Sequence, residues 1–288
     1  MFKTFQKLKL ANSETYFIAE IGINHNGELK NVYKLIQAAK LAGCDAVKFQ
    51  KRNPEHCVPK LQWNIMKDTP WGRMTYIDYK KKMEFSKNDY KKIINYCKAI
   101  EIDWFASCWD ISSVKLMEKL KIPCYKIASA SLTDLNLVKA IKKTNKPVIL
   151  STGASTLNQI KKVVNIIGQK KLAILHCNSS YPAKYEELNL NMIKKLKKIF
   201  PRSIIGYSGH EIGLSPSLAA VVLGAKIIER HITLDKSLWG TDQQTSIEPL
   251  GFARMIKDIR TIEKSLGVEK KIVYESEKKV MKKLRLYD

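Results

Sequence analysis

"IIGYSGHEIG", residues 204–213, begins as an apolar run of β type, breaks at Gly206, and within the next five residues presents Tyr207, Ser208, His210 and Glu211. The chain has only five histidines, and this one directly follows a strand. In an α/β barrel, chemistry-bearing residues gather at the C-terminal ends of buried strands. The reading of the fold therefore turns on how often the pattern recurs.

It recurs seven more times. "YFIAEIG" (16–22), "AVKFQ" (46–50), "DWFASCW" (103–109), "CYKIAS" (124–129), "PVILSTG" (147–153), "LAILHC" (172–177) and "AKIIERH" (225–231) join "SIIGYS" (203–208). Helical patterns separate them. "LKNVYKLIQAAKLAG" (29–43) carries apolar residues at helical spacing and a glycine stop, and Ser86 is a candidate cap for the segment that follows it. "STLNQIKKVVNIIG" (155–168) begins with Ser155 and ends with Gly168, and in "SPSLAAVVLGA" Ser215 would cap with Pro216 at the first helical position. Buried strands alternating with helices imply a parallel sheet. Eight such units imply one α/β domain over 1–288, a (β/α)8 TIM barrel. No GxGxxG follows the first strand, which argues against an open doubly wound sheet. The connection 51–86 is abnormally long and contains Pro54, Pro59, Pro70, His56, Trp63 and Trp71; an insertion of that length after a barrel strand is expected to be functional.

Composition narrows the function classes. The formal net charge is +24, but only seven of the 51 basic residues are arginine. Arginine is the better phosphate fork and base reader. The lysines cluster in "KKLKKIF", "IKKTNK" and "GQKKLA", on helices or the loops after them, so we read solvated helix faces and expect no nucleic-acid partner. A positive field still suits anionic substrates. No run of 18 apolar residues exists and the first residues hold no apolar signal core, so no membrane association is expected and a cytoplasmic location is. Cysteines 44, 57, 97, 108, 124 and 177 show no CxxC pair and sit mostly in apolar runs, as buried free thiols do.

At the strand ends stand Glu20, Lys48, Gln50, Ser107, Cys108, Lys126, Ser129, Ser151, Thr152, His176, Asn178, Ser179, Ser208, His210, Glu229, Arg230 and His231. An unpaired buried polar group costs roughly 1–3 kcal/mol. One polar residue in a strand is ordinarily a satisfied core group; polar residues at the same end of all eight are a site. Two lysines with several hydroxyls and loop N–H groups form an anion site for phosphate or carboxylate. His210 and His231, on adjacent strands, can converge on one metal ion with open positions, which suits a Lewis acid on a carbonyl oxygen.

"IAEIGINHNG", "VKFQ", "YKIAS", "LSTGAS", "LHCNSSYP", "GYSGH" and "ERHITLDKSLWGTDQ" followed by "SIEP" together resemble the sialic acid synthase family, over about residues 17–249. The resemblance implies condensation of phosphoenolpyruvate with an N-acylated mannosamine-type sugar. The products are phosphate and a nine-carbon 2-keto-3-deoxy acid, and the cofactor a divalent metal, manganese or magnesium. By resemblance Lys48, Lys126, Ser129, Ser151, Ser179 and Ser208 hold phosphoenolpyruvate, His210 and His231 the metal, and Gln50, Tyr181 and Asp242 the sugar. Glu20 lies beside the reacting carbons, and Glu20, Lys48, Lys126 and His210 are the catalytic set. His176 and Cys177 receive no role.

Three departures from the family pattern qualify this reading. Family members commonly carry a C-terminal antifreeze-like domain that helps the dimer form and sends an arginine into the neighbouring site; this sequence stops about where it would begin. A homodimer, where one forms, is then expected to use barrel surfaces such as the 51–86 insertion. A common threonine is Cys108 here and a common asparagine is Ser179. The carboxylate expected five residues after Lys126 is Ser131, from which we expect a modified mannosamine, deoxygenated or doubly acylated, to be preferred over plain N-acetylmannosamine. The alternatives are a related keto-acid synthase acting on another sugar or sugar phosphate, and a non-catalytic barrel that binds an acidic sugar. A sugar phosphate calls for an arginine-rich pocket, and only Arg52 and Arg230 lie near strand ends.

Overall fold

The computed structural model describes residues 14–287. The ends of the expected 1–288 domain, residues 1–13 and 288, lie outside the described residues. The strands are Tyr16–Gly22 (β1), Ala46–Lys51 (β2), Met66–Thr69 (β3), Gly72–Thr75 (β4), Asp103–Cys108 (β5), Tyr125–Ile127 (β6), Val148–Ser151 (β7), Leu172–Cys177 (β8), Ile204–Gly209 (β9) and Ile227–His231 (β10). The helices are Leu29–Leu41 (α1), Pro54–Cys57 (α2), Tyr76–Lys82 (α3), Lys87–Ala99 (α4), Ile111–Lys119 (α5), Leu135–Lys143 (α6), Leu157–Ile167 (α7), Met192–Ile199 (α8), Ser215–Val222 (α9), Pro249–Ser265 (α10) and Glu275–Leu284 (α11).

Eight strands close into a barrel in the order β1-β10-β9-β8-β7-β6-β5-β2, and every pair is parallel. These are the eight apolar runs. Their residues are buried on both faces, as for Phe17, Ile18 and Ala19 of β1, which is why the runs read as continuously apolar rather than alternating. The expected Ser86 cap forms a full capping box with Asp89. Two caps shift by one residue: Thr156, not Ser155, caps α7 with Gln159, and α9 begins at Ser215 after Leu214, so Ser215 is not its cap.

One expectation about the opening stretch is corrected. β9 does not break at Gly206 but runs on to Gly209. A Cβ on Gly206 would lie 2.6 Å from the Ile227 carbonyl oxygen and 2.5 Å from Leu175 Cδ2. The glycine lets two neighbouring strands close around it.

The insertion 51–86 has its own structure. β3 and β4 pair as an antiparallel hairpin, and α3 follows. Tyr79 of α3 and Met83, just after it, pack with Ile23, Trp71, Met74 and Tyr76 in a small second core. Trp71 and Tyr79 meet Trp239, from the loop after β10, edge to face at 5.8 and 5.4 Å. That loop is also pinned by Asn26, whose amide donates to the Trp239 carbonyl. The insertion is thus fastened to the same end of the barrel as the strand C-termini. At the other extreme of the chain, α11 buries none of its residues. Among the described residues no helix is long and apolar enough to cross a membrane, and all six cysteines are free.

Candidate active site

Register brings the polar strand ends together. Glu20 of β1 pairs with His231 on one side and Lys48 on the other. Ser208 of β9 pairs with Cys177 and with Glu229. All of these, Cys177 included, face one barrel mouth, and they are buried.

The centre of the mouth is Glu229. Its Oε1 lies 3.1 Å from Lys126 Nζ and 3.4 Å from Lys48 Nζ, and it accepts a hydrogen bond from the Ser208 hydroxyl at 3.0 Å. Burial opposes its ionisation, but the two ammonium groups and Ser208 outweigh burial and hold its pKa at about 2. Lys48 also meets Glu20 Oε2 at 3.1 Å; burial pulls its pKa down, yet Glu20 and Glu229 pull it up further, so the net direction is upward. Lys126 goes the other way. Burial and the nearby Lys48 push it below an ordinary lysine, although Glu229 resists. Lys126 shares its carboxylate with a second cation and donates to Ser151 Oγ at 2.7 Å. An anion arriving here meets a lysine whose charge is undercompensated.

Beside it lies a cradle. The Gly153 N–H donates to Ser129 Oγ at 3.0 Å, and a Cβ on Gly153 would fall 2.1 Å from Ser179 Oγ and 2.9 Å from Ser129 Oγ. Ser179 Oγ is buried without a partner. An unsatisfied hydroxyl, with a glycine N–H that Ser129 now occupies, matches oxygens of a phosphate or carboxylate. Thus Lys48, Lys126, Ser129, Ser151, Ser179 and Ser208 do fall in one cluster, with Ser208 acting through Glu229.

The histidines form a second group in the same mouth, with His210 Nδ1 3.7 Å from Cys177 Sγ. The rings of His210 and His231 are 5.6 Å apart between centroids. His210 Nδ1 lies 2.6 Å from the Asn178 carbonyl oxygen, which assigns its proton to Nδ1 and leaves the Nε2 lone pair facing the Tyr181 hydroxyl at 2.8 Å. Burial, and then His231, lower the His210 pKa to about 3, so the ring is neutral. His231 Nδ1 is buried with no hydrogen-bond partner, 3.7 Å from Asp242 Oδ2. Among the described residues no cluster of three or more His, Cys, Asp or Glu side chains is arranged as a metal cage. Two imidazoles, one with an orphaned nitrogen beside a carboxylate, still fit a divalent ion that keeps positions for water or substrate oxygen. Tyr181 stacks on His210 at 4.1 Å, and Gln50 Nε2 donates to Glu20 Oε1 at 3.0 Å. Gln50, Tyr181 and Asp242 therefore surround the gap between Glu20 and the histidine pair.

Some residues read differently in three dimensions. Arg230 faces away from the mouth, onto Glu211 and Ser217, so only Arg52 of the two strand-end arginines touches a candidate site residue, Gln50. His176 also turns outward, to the Leu188 carbonyl. Cys177, given no role, approaches Ser129 and His210 at 3.6 and 3.7 Å. Sequence reasoning placed Glu229 at a strand end and then assigned it nothing. The signal was a carboxylate in an otherwise apolar strand facing two lysines. Gly153, in the unspecific "STG", was missed because a backbone N–H leaves no mark in residue type.

Barrel and mouth together define a transferase of the sialic acid synthase type. The NeuB family model matches residues 35–271, and the chain belongs to that family. It is 40% identical to an N-acetylneuraminate-9-phosphate synthase of Drosophila melanogaster over 84% of this chain and 66% of that protein. It is 36% identical to an N,N'-diacetyllegionaminic acid synthase of Campylobacter jejuni over 92% of this chain and 81% of the relative. The chain thus spans about two thirds to four fifths of these curated relatives. The solved N-acetylneuraminic acid synthetase of Leptospira borgpetersenii superposes with a TM-score of 0.84 at 31% identity, covering 94% of this chain and 92% of that one.

Proposed function

We propose that the chain condenses phosphoenolpyruvate with an open-chain N-acylmannosamine-type sugar to give a nine-carbon, sialic-acid-like 2-keto-3-deoxy acid and phosphate. The observation that carries this is the pairing of Lys48 and Lys126 on one buried carboxylate beside the Gly153–Ser129–Ser179 cradle, in the same mouth as two histidines. One half suits a doubly anionic three-carbon substrate, and the other an aldehyde.

In this reading Lys48 and Lys126 bind the carboxylate and phosphate of phosphoenolpyruvate, and Glu229 keeps both ammonium groups in place. Gly153, Ser129 and Ser179 hold phosphoryl oxygens. Gln50, Tyr181 and Asp242 orient the sugar. His210 and His231 would hold a divalent ion, manganese or magnesium, which when bound would supply Lewis acidity to the aldehyde oxygen. A carbon–carbon bond forms between the enol carbon and the aldehyde carbon, and positive charge develops at the second carbon of the enolpyruvate. Glu20 faces that carbon, stabilises the cation and takes a proton from the water that adds there. The resulting tetrahedral carbon loses phosphate by carbon–oxygen cleavage, leaving the keto group.

The test is phosphate release with phosphoenolpyruvate, manganese and N-acylated mannosamines. Release that requires both substrates, with a nine-carbon keto acid as product, is expected. Release without any sugar, or none with every sugar offered, would refute the assignment.

A further inference from the structure

The stretches "INHNG" (23–27) and "SIEP" (246–249) hold two buried polar residues that the condensation does not use, Asn24 and Ser246. The fold brings them into contact. Asn24, just beyond β1, donates from its amide nitrogen to the Ser246 hydroxyl and to the Ile232 carbonyl, both at 2.8 Å. A backbone carbonyl can only accept, so Ile232 assigns the amide its orientation. The Ser246 hydroxyl takes one Asn24 hydrogen and gives its own to the Asp242 carbonyl at 2.6 Å. Asn24 Oδ1 is buried without a hydrogen-bond partner, so this side chain acts here through its two hydrogens.

Each of those hydrogens leads to a segment that carries a site residue. Ile232 directly follows His231, and Asp242 is the residue whose carboxylate lies 3.7 Å from His231 Nδ1. Backbone bonds tie the two segments at one point: the Ile247 N–H donates to the His231 carbonyl at 2.8 Å, and the Thr233 N–H to the Ile247 carbonyl at 3.1 Å. Asp242 stands before that point, in a turn that runs to Ser246. Side chains hold the turn. Thr245 joins Ser246 in donating to the Asp242 carbonyl, at 3.2 Å, and the Gln243 amide donates to the Asn24 carbonyl at 3.3 Å. An amide nitrogen with two hydrogens holds two acceptors at a set separation, whereas a hydroxyl in its place could hold one. Asn24 therefore spaces the turn of Asp242 from the end of β10.

We propose that Asn24 is a positioning residue for the histidine–carboxylate pair: through Ile232 and Ser246 it sets the gap between His231 and Asp242, and with it the affinity of the mouth for a divalent cation. This rests on the metal-holding role of His210 and His231 given above. Asn24 itself meets neither the ion nor the substrates. Groups that orient a metal-binding imidazole and its carboxylate typically account for roughly 10- to 100-fold in metal affinity.

Manganese binding to the full chain without either substrate, read from the paramagnetic resonance of the free ion, tests this independently of turnover. The native protein is expected to bind manganese. Asn24→Ala should weaken binding roughly 10- to 100-fold, and Ser246→Ala, which keeps the bond from Asn24 to Ile232, should weaken it in the same direction. Asp242→Ala should weaken it to a similar extent, and adding Asn24→Ala or Ser246→Ala to that variant should cause little further loss, because the gap then has only one side. A loss of equal size with and without Asp242 would make Asn24 a general support of the fold and overturn the proposal. Native affinity in both Asn24→Ala and Ser246→Ala would overturn it too, while leaving the metal-holding histidines standing. A native protein that binds no manganese would overturn both.

Discussion

Glu229 and Arg230 are consecutive on β10, and the pleat sends them to opposite faces. Outside the barrel, Arg230 donates to Glu211 Oε1 at 2.7 Å, to Ser217 Oγ at 2.9 Å, to the Gly213 carbonyl at 3.0 Å and to the Glu211 carbonyl at 2.5 Å. Glu211 also takes the Tyr207 hydroxyl at 2.7 Å, and only Arg230 Nε lacks a partner. Inside, one oxygen of Glu229 serves two lysines and a serine while the other serves nothing, and Ser179 Oγ and His231 Nδ1 are also unpartnered. The outer cluster closes on itself and so fastens the β9–β10 region to α9. The inner one leaves donors and acceptors aimed at a common space, which is the mark of groups waiting for a ligand.

The comparison breaks first at the metal. Exhaustive chelation is expected to abolish turnover, with recovery on adding manganese or magnesium. Activity that survives chelation would leave His210 and His231 as hydrogen-bonding groups only, and the orphaned His231 nitrogen would then have no functional explanation.

The two faces of β10 should next separate stability from chemistry. Arg230→Met leaves Glu211 charged and unpaired in a buried place, at a cost of about 3–5 kcal/mol. It should lower the urea midpoint strongly, and the double variant with Glu211→Gln should recover part of the loss. Lys126→Ala on the inner side should do the reverse. It removes a charge aimed at the substrate, so kcat/KM for phosphoenolpyruvate should fall roughly 100- to 1,000-fold with the urea midpoint little changed. A Lys126→Ala enzyme that binds phosphoenolpyruvate normally would take that lysine out of the anion site.

The two faces also show what was readable beforehand. All eight barrel strands were legible, because burial on both sides makes each an unbroken apolar run. That Lys48, Lys126, His210 and His231 gather at one end of the barrel was legible because polar residues at one end of such runs have few structural excuses. Glu211 and Arg230 were not separable from site residues: whether a strand-end charge turns in or out depends on the pleat and on which helix lies behind it. Gly206 read as a break because close strand approach and chain termination call for the same residue.

The smallest expected effect concerns Ser131, at the end of the short turn Ser129–Ser131 after β6. It is buried, on the same segment as Ser129 of the phosphate cradle. Where the family pattern has a carboxylate with two acceptor oxygens, this chain offers one shorter hydroxyl. A lost charge-assisted hydrogen bond is worth about 1.5–3 kcal/mol, roughly ten- to a hundredfold in discrimination. The missing volume favours a bulkier or less polar substituent, so a deoxygenated or doubly acylated mannosamine should outrank one with the plain N-acetyl pattern. Ser131→Glu is expected to shift the ratio of their specificity constants ten- to a hundredfold toward the plain sugar. A ratio that stays where it is would mean that Ser131 does not face the substrate and that selectivity on this side is set by Gln50, Tyr181 and Asp242.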